Sequence, residues 1–120
     1  MMTVRTRVFL IVFCIAVLTL LSAACISTTF GEVAYSTGEI TLPVSHDGSD
    51  SEGYIQVTVY RIANNQQEET GTFFAPLNLQ RGANMAIIPA QLEPGQYKLY
   101  FYLIQNGERK AATIRDLTVN

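Results

Sequence analysis

The sequence predicts an all-β domain, a sandwich of about seven antiparallel strands behind an N-terminal hydrophobic signal segment. Three observations predict it. Apolar and polar residues alternate with a period of two between Phe30 and Val119, turn residues break the alternating runs at regular intervals, and no ten-residue stretch after the signal has helical spacing. A small open β-barrel is the alternative, because strand count alone does not decide sheet closure.

The hydrophobic segment comes first. Of the first 24 residues 18 are apolar, against 40 of the remaining 96. Arg5 and Arg7 precede a run over residues 8–21 broken only by Thr19, and the small residues Ser22, Ala23 and Ala24 follow. A basic start, a short apolar run and a small-residue end are the parts of a secretory signal. At about 1.5 Å per residue the run reaches about 21 Å, short of the roughly 30 Å hydrocarbon core. Extended to Ile26 it is long enough to span, so an uncleaved N-terminal membrane anchor is the alternative for residues 1–24.

The stretch Leu21-Ser22-Ala23-Ala24-Cys25 resembles the lipobox of bacterial lipoproteins, with Ser22 where that family carries a larger aliphatic residue. The resemblance implies cleavage before Cys25 and acylation of Cys25, leaving the protein anchored to the membrane on its extracytoplasmic side. That side is the cell surface, or the periplasmic face of the outer membrane in a Gram-negative envelope. Cys14 would leave with the signal, so the exported chain has no intrachain disulfide. Residues 25–29 then form a lipid-anchored tether of about 15 Å, and residues 30–120 form the domain.

Length and charge bound the function. A chain of 120 residues with 15% charged residues and a net charge of −2 holds one domain. Loss of Arg5 and Arg7 takes the net charge to −4, which disfavours nucleic acid as a partner.

Within the domain, strands are expected near residues 30–36, 39–44, 54–62, 72–79, 83–89, 97–105 and 109–119. Ile40, Leu42 and Val44 mark one inward face; Ile55, Val57 and Val59, then Phe73, Ala75, Leu77 and Leu79, then Leu99, Phe101 and Leu103 mark others. Asn106-Gly107 between the last two strands is the signature of a two-residue type I′ hairpin. The segment Leu92-Glu93-Pro94-Gly95-Gln96-Tyr97 puts a Pro-Gly turn just before a Tyr-led strand. It resembles the entry to strand F of immunoglobulin-like and fibronectin-III-like sandwiches. By that resemblance Tyr97 is a corner tyrosine whose hydroxyl bonds back to the chain, and Leu92 packs beside it. The core Trp and inter-sheet disulfide of antibody domains are absent from the sequence.

Little here carries catalysis. Ser45, His46 and Asp47 are adjacent on one chain segment, whereas a catalytic triad needs partners brought in from separate elements. Asp47, Asp50 and Glu52 offer carboxylates to calcium, but not at EF-hand spacing. The segment reads mainly as a solvated acidic loop, and no cofactor is expected.

The tyrosines are more informative. If Ile55, Val57 and Val59 face inward, Tyr54 and Tyr60 face outward; if Leu99, Phe101 and Leu103 face inward, Tyr100 and Tyr102 face outward. In an Ig-like topology these strands are neighbours, so the four tyrosines share one exposed face. The expectation is a non-catalytic, membrane-anchored lipoprotein whose Ig-like domain mediates protein–protein contact in the cell envelope, as an accessory subunit of a membrane complex. A carbohydrate- or peptide-binding module using the same tyrosines is the alternative. A protease inhibitor presenting loops 46–53 and 64–71 is a second.

Overall fold

The computed structural model describes residues 28–120; the expected signal segment over residues 1–24 and Cys25 lie outside the described residues. Among the described residues eight strands follow one another without a helix: β1 (Thr28–Phe30), β2 (Ala34–Ser36), β3 (Glu39–His46), β4 (Ser51–Ala63), β5 (Gln66–Leu79), β6 (Gly82–Pro89), β7 (Gly95–Gln105) and β8 (Glu108–Val119). They form two antiparallel four-stranded sheets. In the first, β3 pairs with β6 on one side and with both β1 and β2 on the other; the second has the order β5-β4-β7-β8. No ladder joins the two sheets among the described residues, so the barrel alternative gives way to a two-sheet packing.

Period-two alternation builds the core. Ile40, Leu42 and Val44 from β3 and Ile88 from β6 are fully buried, and so are Ile55, Val57, Val59, Leu99, Phe101 and Leu103 from the facing sheet. Each fully buried Leu, Ile, Val or Phe contributes about 1.5–3 kcal/mol relative to exposure, which offsets the lack of any covalent brace in the domain.

One expected strand, residues 30–36, is two. β1 pairs Phe30 with Val44 and β2 pairs Ala34 with Thr41, leaving three residues opposite only two of β3. The cause is Pro43. Its carbonyl accepts the Gly31 amide at 2.9 Å, so its missing N–H lies on the same side and the ladder breaks there. The first strand also begins at Thr28, inside the segment expected to be tether.

A second difference concerns residues 64–71, expected as a loop. Only Asn64 and Asn65 turn, with φ of 53° and 62°, and Gln66 continues directly into β5. Two consecutive positive φ values suit a type I′ turn, which asparagine tolerates. Asn106-Gly107 turns in the same way (51°, 74°), and so does Thr37-Gly38 (51°, 79°). The loop expected over 46–53 likewise shrinks to residues 47–50, because β4 already begins at Ser51.

Candidate functional site

The outer face of the β5-β4-β7-β8 sheet gathers aromatic side chains in a register set by the ladders. Gln56 stands opposite Phe74 on β5 and Tyr102 on β7; Thr58 stands opposite Thr72 and Tyr100; Tyr100 in turn stands opposite Ile114 on β8. Tyr54 pairs with Pro76 and Ile104, and Tyr60 with Glu69 and Lys98. Successive side chains on a strand alternate faces, so burying Ile55, Val57, Val59, Leu99, Phe101 and Leu103 turns all four tyrosines outward. The fold brings Tyr54, Tyr60, Tyr100 and Tyr102 onto one face.

Their rings lean on one another. Tyr60 and Tyr100 meet edge to face at 5.2 Å between centroids, Tyr54 and Phe74 are tilted by 58° at 6.0 Å, and the Arg109 guanidinium lies 4.2 Å from the Tyr102 ring centre. Such pairs contribute about 0.5–1.5 kcal/mol each. They explain why Tyr60, Tyr100 and Tyr102 are half-buried on an outward face. The most exposed apolar side chains there are Phe74 at 57%, Ile114 at 53% and Tyr54 at 39%.

Phe74 and Ile114 were not anticipated. Phe74 had a signal: it alternates with the inward pair Phe73 and Ala75, so its outward aim was readable. Ile114 had less, because Thr113 and Arg115, its neighbours on β8, are polar yet inward-facing.

Other sequence-selected residues have structural places. The Tyr97 hydroxyl donates to the Glu93 carbonyl at 2.6 Å, with Tyr97 and Leu92 both buried and Pro94 and Gly95 forming the turn between them. Two further side chains hold this corner. Tyr35 donates to the Ala90 carbonyl and accepts from the Leu92 amide, and the Arg61 Nη2 donates to the Pro94 carbonyl at 3.2 Å.

His46 is buried at the inward end of β3. Its Nε2 stands 2.9 Å from the Ser49 carbonyl, so that nitrogen donates, while Nδ1 faces the Thr28 hydroxyl at 3.3 Å. Ser45 and Asp47 flank it but are exposed, as alternation along a strand requires. Asp50 accepts the Arg81 amide at 3.2 Å, and Arg81 also reaches the Asp47 carbonyl. Among the described residues, no three His, Cys, Asp or Glu side chains stand together as a metal site, so Asp47, Asp50 and Glu52 are not gathered. An open recess of about 360 Å³ next to His46 is lined by Thr28, Thr29, Ser45, Asp47, Gly82 and Ala83.

Together, the fold and this face define an all-β, two-sheet domain with an aromatic outer surface. Comparison with protein-family models and with curated proteins finds no match to either.

Proposed function

We propose that the chain is a non-catalytic lipoprotein of the bacterial cell envelope, anchored through Cys25, whose immunoglobulin-like sandwich docks a protein partner. The observation that carries the reading is the outer face of β5-β4-β7-β8, where Phe74, Ile114 and Tyr54 are exposed around half-buried tyrosines. Aromatic side chains dominate contact energetics because each buries a large area while a Tyr hydroxyl stays solvated.

Two details support the Ig-like part of the reading. Counting β1 and β2 as one edge strand, β3 and β6 take the places of strands B and E, and β4, β7 and β8 those of C, F and G. β5 then stands beside C as a C′ strand, on the sheet to which variable-type domains add it. Tyr97 also bonds four residues back, as a tyrosine corner does.

A protein partner suits this face better than a sugar. Glycan stacking needs ring faces presented to the ligand, whereas Tyr60 meets Tyr100 edge to face and the Tyr102 face is taken by Arg109. The inhibitor reading loses its long loops, since residues 66–71 are strand and the 46–53 segment keeps only four loop residues.

The test is affinity capture from detergent-solubilised membranes, with mass spectrometry of the mature N-terminus. A stoichiometric partner should be lost on Phe74→Ser with Tyr100→Ser, and kept on Met85→Ser with Ile87→Ser, which alters exposed residues of the other sheet. Equal loss from both pairs counts against the face, and an intact Met1 counts against the anchor.

A further inference from the structure

We propose that the outer face of β5-β4-β7-β8 is the contact surface of a homodimer, in which two copies pack this face against each other with their strands antiparallel. The inference rests on the docking reading of that face and names its occupant, a second copy of this chain.

Register divides the face into rows. On β8 the outward residues Arg109, Ala112, Ile114 and Asp116 stand level with Ile104, Tyr102, Tyr100 and Lys98 of β7 in turn. Lys110 is the extra residue where the β8 register shifts, so the rows follow β7 rather than a count along β8. The two middle rows continue across β4 and β5 through Gln56 and Phe74, and through Thr58 and Thr72, without a charge. Charge begins one row out on either side, at Arg109 in one direction and at Asp116, Lys98 and Glu69 in the other. An uncharged centre inside a charged rim is the layout of a protein interface.

Two opposite charges of this rim lack an ionic partner. Among the described residues the ion pairs are Arg61 with Glu93 and Lys110 with Glu108, and the exposed Arg109 and Asp116 belong to neither. The Arg109 guanidinium lies over the Tyr102 ring, which holds it on the face. A guanidinium held against a ring still has N–H groups to offer a carboxylate.

Symmetry then selects the packing. Face-to-face copies are related by a two-fold axis lying in the interface, either along the strands or across them. With all four strands covered, an axis along them lays β8 over the other copy's β5 and opposes Asp116 to Glu69 twice. An axis across the strands instead lays each strand antiparallel over its own counterpart. Placed between the two middle rows, it sets Arg109 of each copy against Asp116 of the other, with Tyr102 against Tyr100, Tyr54 against Tyr60 and Ala112 against Ile114. Moved onto either middle row, it faces Asp116 with Ala112 or Arg109 with Ile114, leaving charge against apolar surface. Aligned sheets cross at about 30°, which displaces facing β8 residues by about 4 Å, within the span of an arginine side chain.

The same axis suits two membrane-tethered copies. β1 lies on the β8 side of the sandwich, where Arg115 reaches the Phe30 carbonyl and β8 lies against β2. An axis across the strands leaves through that edge in both copies, so both first strands, and the anchors proposed before them, face one membrane. The area is sufficient. With about 4.8 Å between strands and about 3.3 Å per residue, four strands from the level of Glu52 to that of Ile62 present about 600 Å². Two such faces bury about 1,200 Å², the lower end for a specific interface, which suits a dimer of micromolar strength.

Sedimentation equilibrium of the detergent-solubilised full chain tests the proposal. Wild type should dimerise with a micromolar Kd, and Asp116→Arg should weaken the dimer at least tenfold with β-sheet circular dichroism unchanged. The swap Arg109→Asp with Asp116→Arg should bring the Kd back to within about threefold of wild type. Arg109→Gln, which opposes no like charges, should weaken the dimer several-fold and decides the matter if the swap does not fold. A wild type that stays monomeric across the micromolar range overturns the proposal. So does a dimer indifferent to Asp116→Arg or to Arg109→Gln, or a folded swap that stays monomeric. A monomer that still captures a foreign protein through Phe74 and Tyr100 keeps the docking reading and overturns the second copy alone.

Discussion

Arg115 holds Phe30 across the open side of the sandwich: its Nη2 donates to the Phe30 carbonyl at 3.0 Å, and its Nε to the Gly31 carbonyl at 3.1 Å. These carbonyls sit where Pro43 breaks the ladder between β1 and β3. A charge on the inner face of an edge strand thus satisfies the acceptors left by a break in the opposite sheet. Its third nitrogen, Nη1, is bonded to Thr113 and to the Ile114 carbonyl, which fixes the side chain's aim.

Replacing it should loosen the first strand selectively. Arg115→Met keeps most of the stem but removes the charge-assisted bonds, and water can reach part of the vacated site. The expected loss is about 1–2 kcal/mol, or about 4–16 °C in Tm for a domain of this size. Hydrogen exchange should accelerate at Thr28–Phe30 well before β4 and β7 respond. Uniform acceleration across both sheets would show that Arg115 braces the whole domain instead.

How much of this was readable follows from where the side chains point. The alternating runs around Leu42, Val57 and Phe101 specify the core because one face of each strand is buried, and Asn106-Gly107 announces its own turn. Residues 66–70 were not readable as strand. Gln66, Gln67, Glu68, Glu69 and Thr70 are all exposed, so no alternation marks them, and their pairing is imposed by the Asn64-Asn65 turn and by β4. The break after Phe30 was hidden too, because it originates in Pro43, a residue on a different strand. The aromatic face was half legible: the tyrosines followed from alternation, while Ile114 depended on the inward polar pattern of β8.

Thr37 is a local cost within the fold. A β-branched residue at φ 51° lies in the left-handed region, which L-residues other than Gly, Asn and Asp occupy at a cost of about 1–2 kcal/mol. Among the described residues its side chain makes one bond, an exposed one to Ser36 at 3.0 Å. Thr37→Asn should therefore stabilise the protein by about 0.5–1 kcal/mol, seen as a higher urea midpoint with an unchanged slope. A lower midpoint would mean that the Ser36 contact matters more than the backbone.

Gly53 behaves oppositely. A Cβ added there would lie 2.6 Å from the Ile104 carbonyl oxygen and 2.9 Å from the Gln105 side chain, so β4 and β7 would have to separate. Gly53→Ala should cost about 1–3 kcal/mol in thermal or urea unfolding, although Ala suits a strand no worse than Gly. A neutral effect would show that the two strands part freely at this end.

The β7–β8 hairpin carries one pH-sensitive contact. Lys110 Nζ donates to Glu108 Oε2 at 2.9 Å, and this bond, then the Lys110 charge, lowers the Glu108 pKa below its ordinary value. A carboxylate depressed in the folded state stabilises it above the unfolded pKa, and that contribution disappears as pH falls through the folded pKa. Lys110→Ala should return Glu108 to the ordinary carboxylate range in an NMR titration. A titration that does not move would place the cause outside Lys110.

Two tyrosines hold the crossover between β6 and β7, and their hydroxyls are not equivalent. Tyr97 serves one acceptor, the carbonyl of the exposed residue Glu93, and water can replace that bond if it is lost. Tyr35 serves two groups, the Ala90 carbonyl at 3.0 Å and the Leu92 amide at 2.9 Å, and both residues are buried. Removing a hydroxyl whose partners stay buried costs their full desolvation, about 1–3 kcal/mol, whereas a bond that water replaces costs about 0.5–1.5 kcal/mol. Tyr35→Phe should therefore destabilise about twice as much as Tyr97→Phe in urea unfolding, even though Tyr35 lies on a three-residue edge strand and Tyr97 in the core. The reverse order would mean that the corner depends on the Tyr97 bond itself, and that Ala90 and Leu92 find water once Tyr35 is gone.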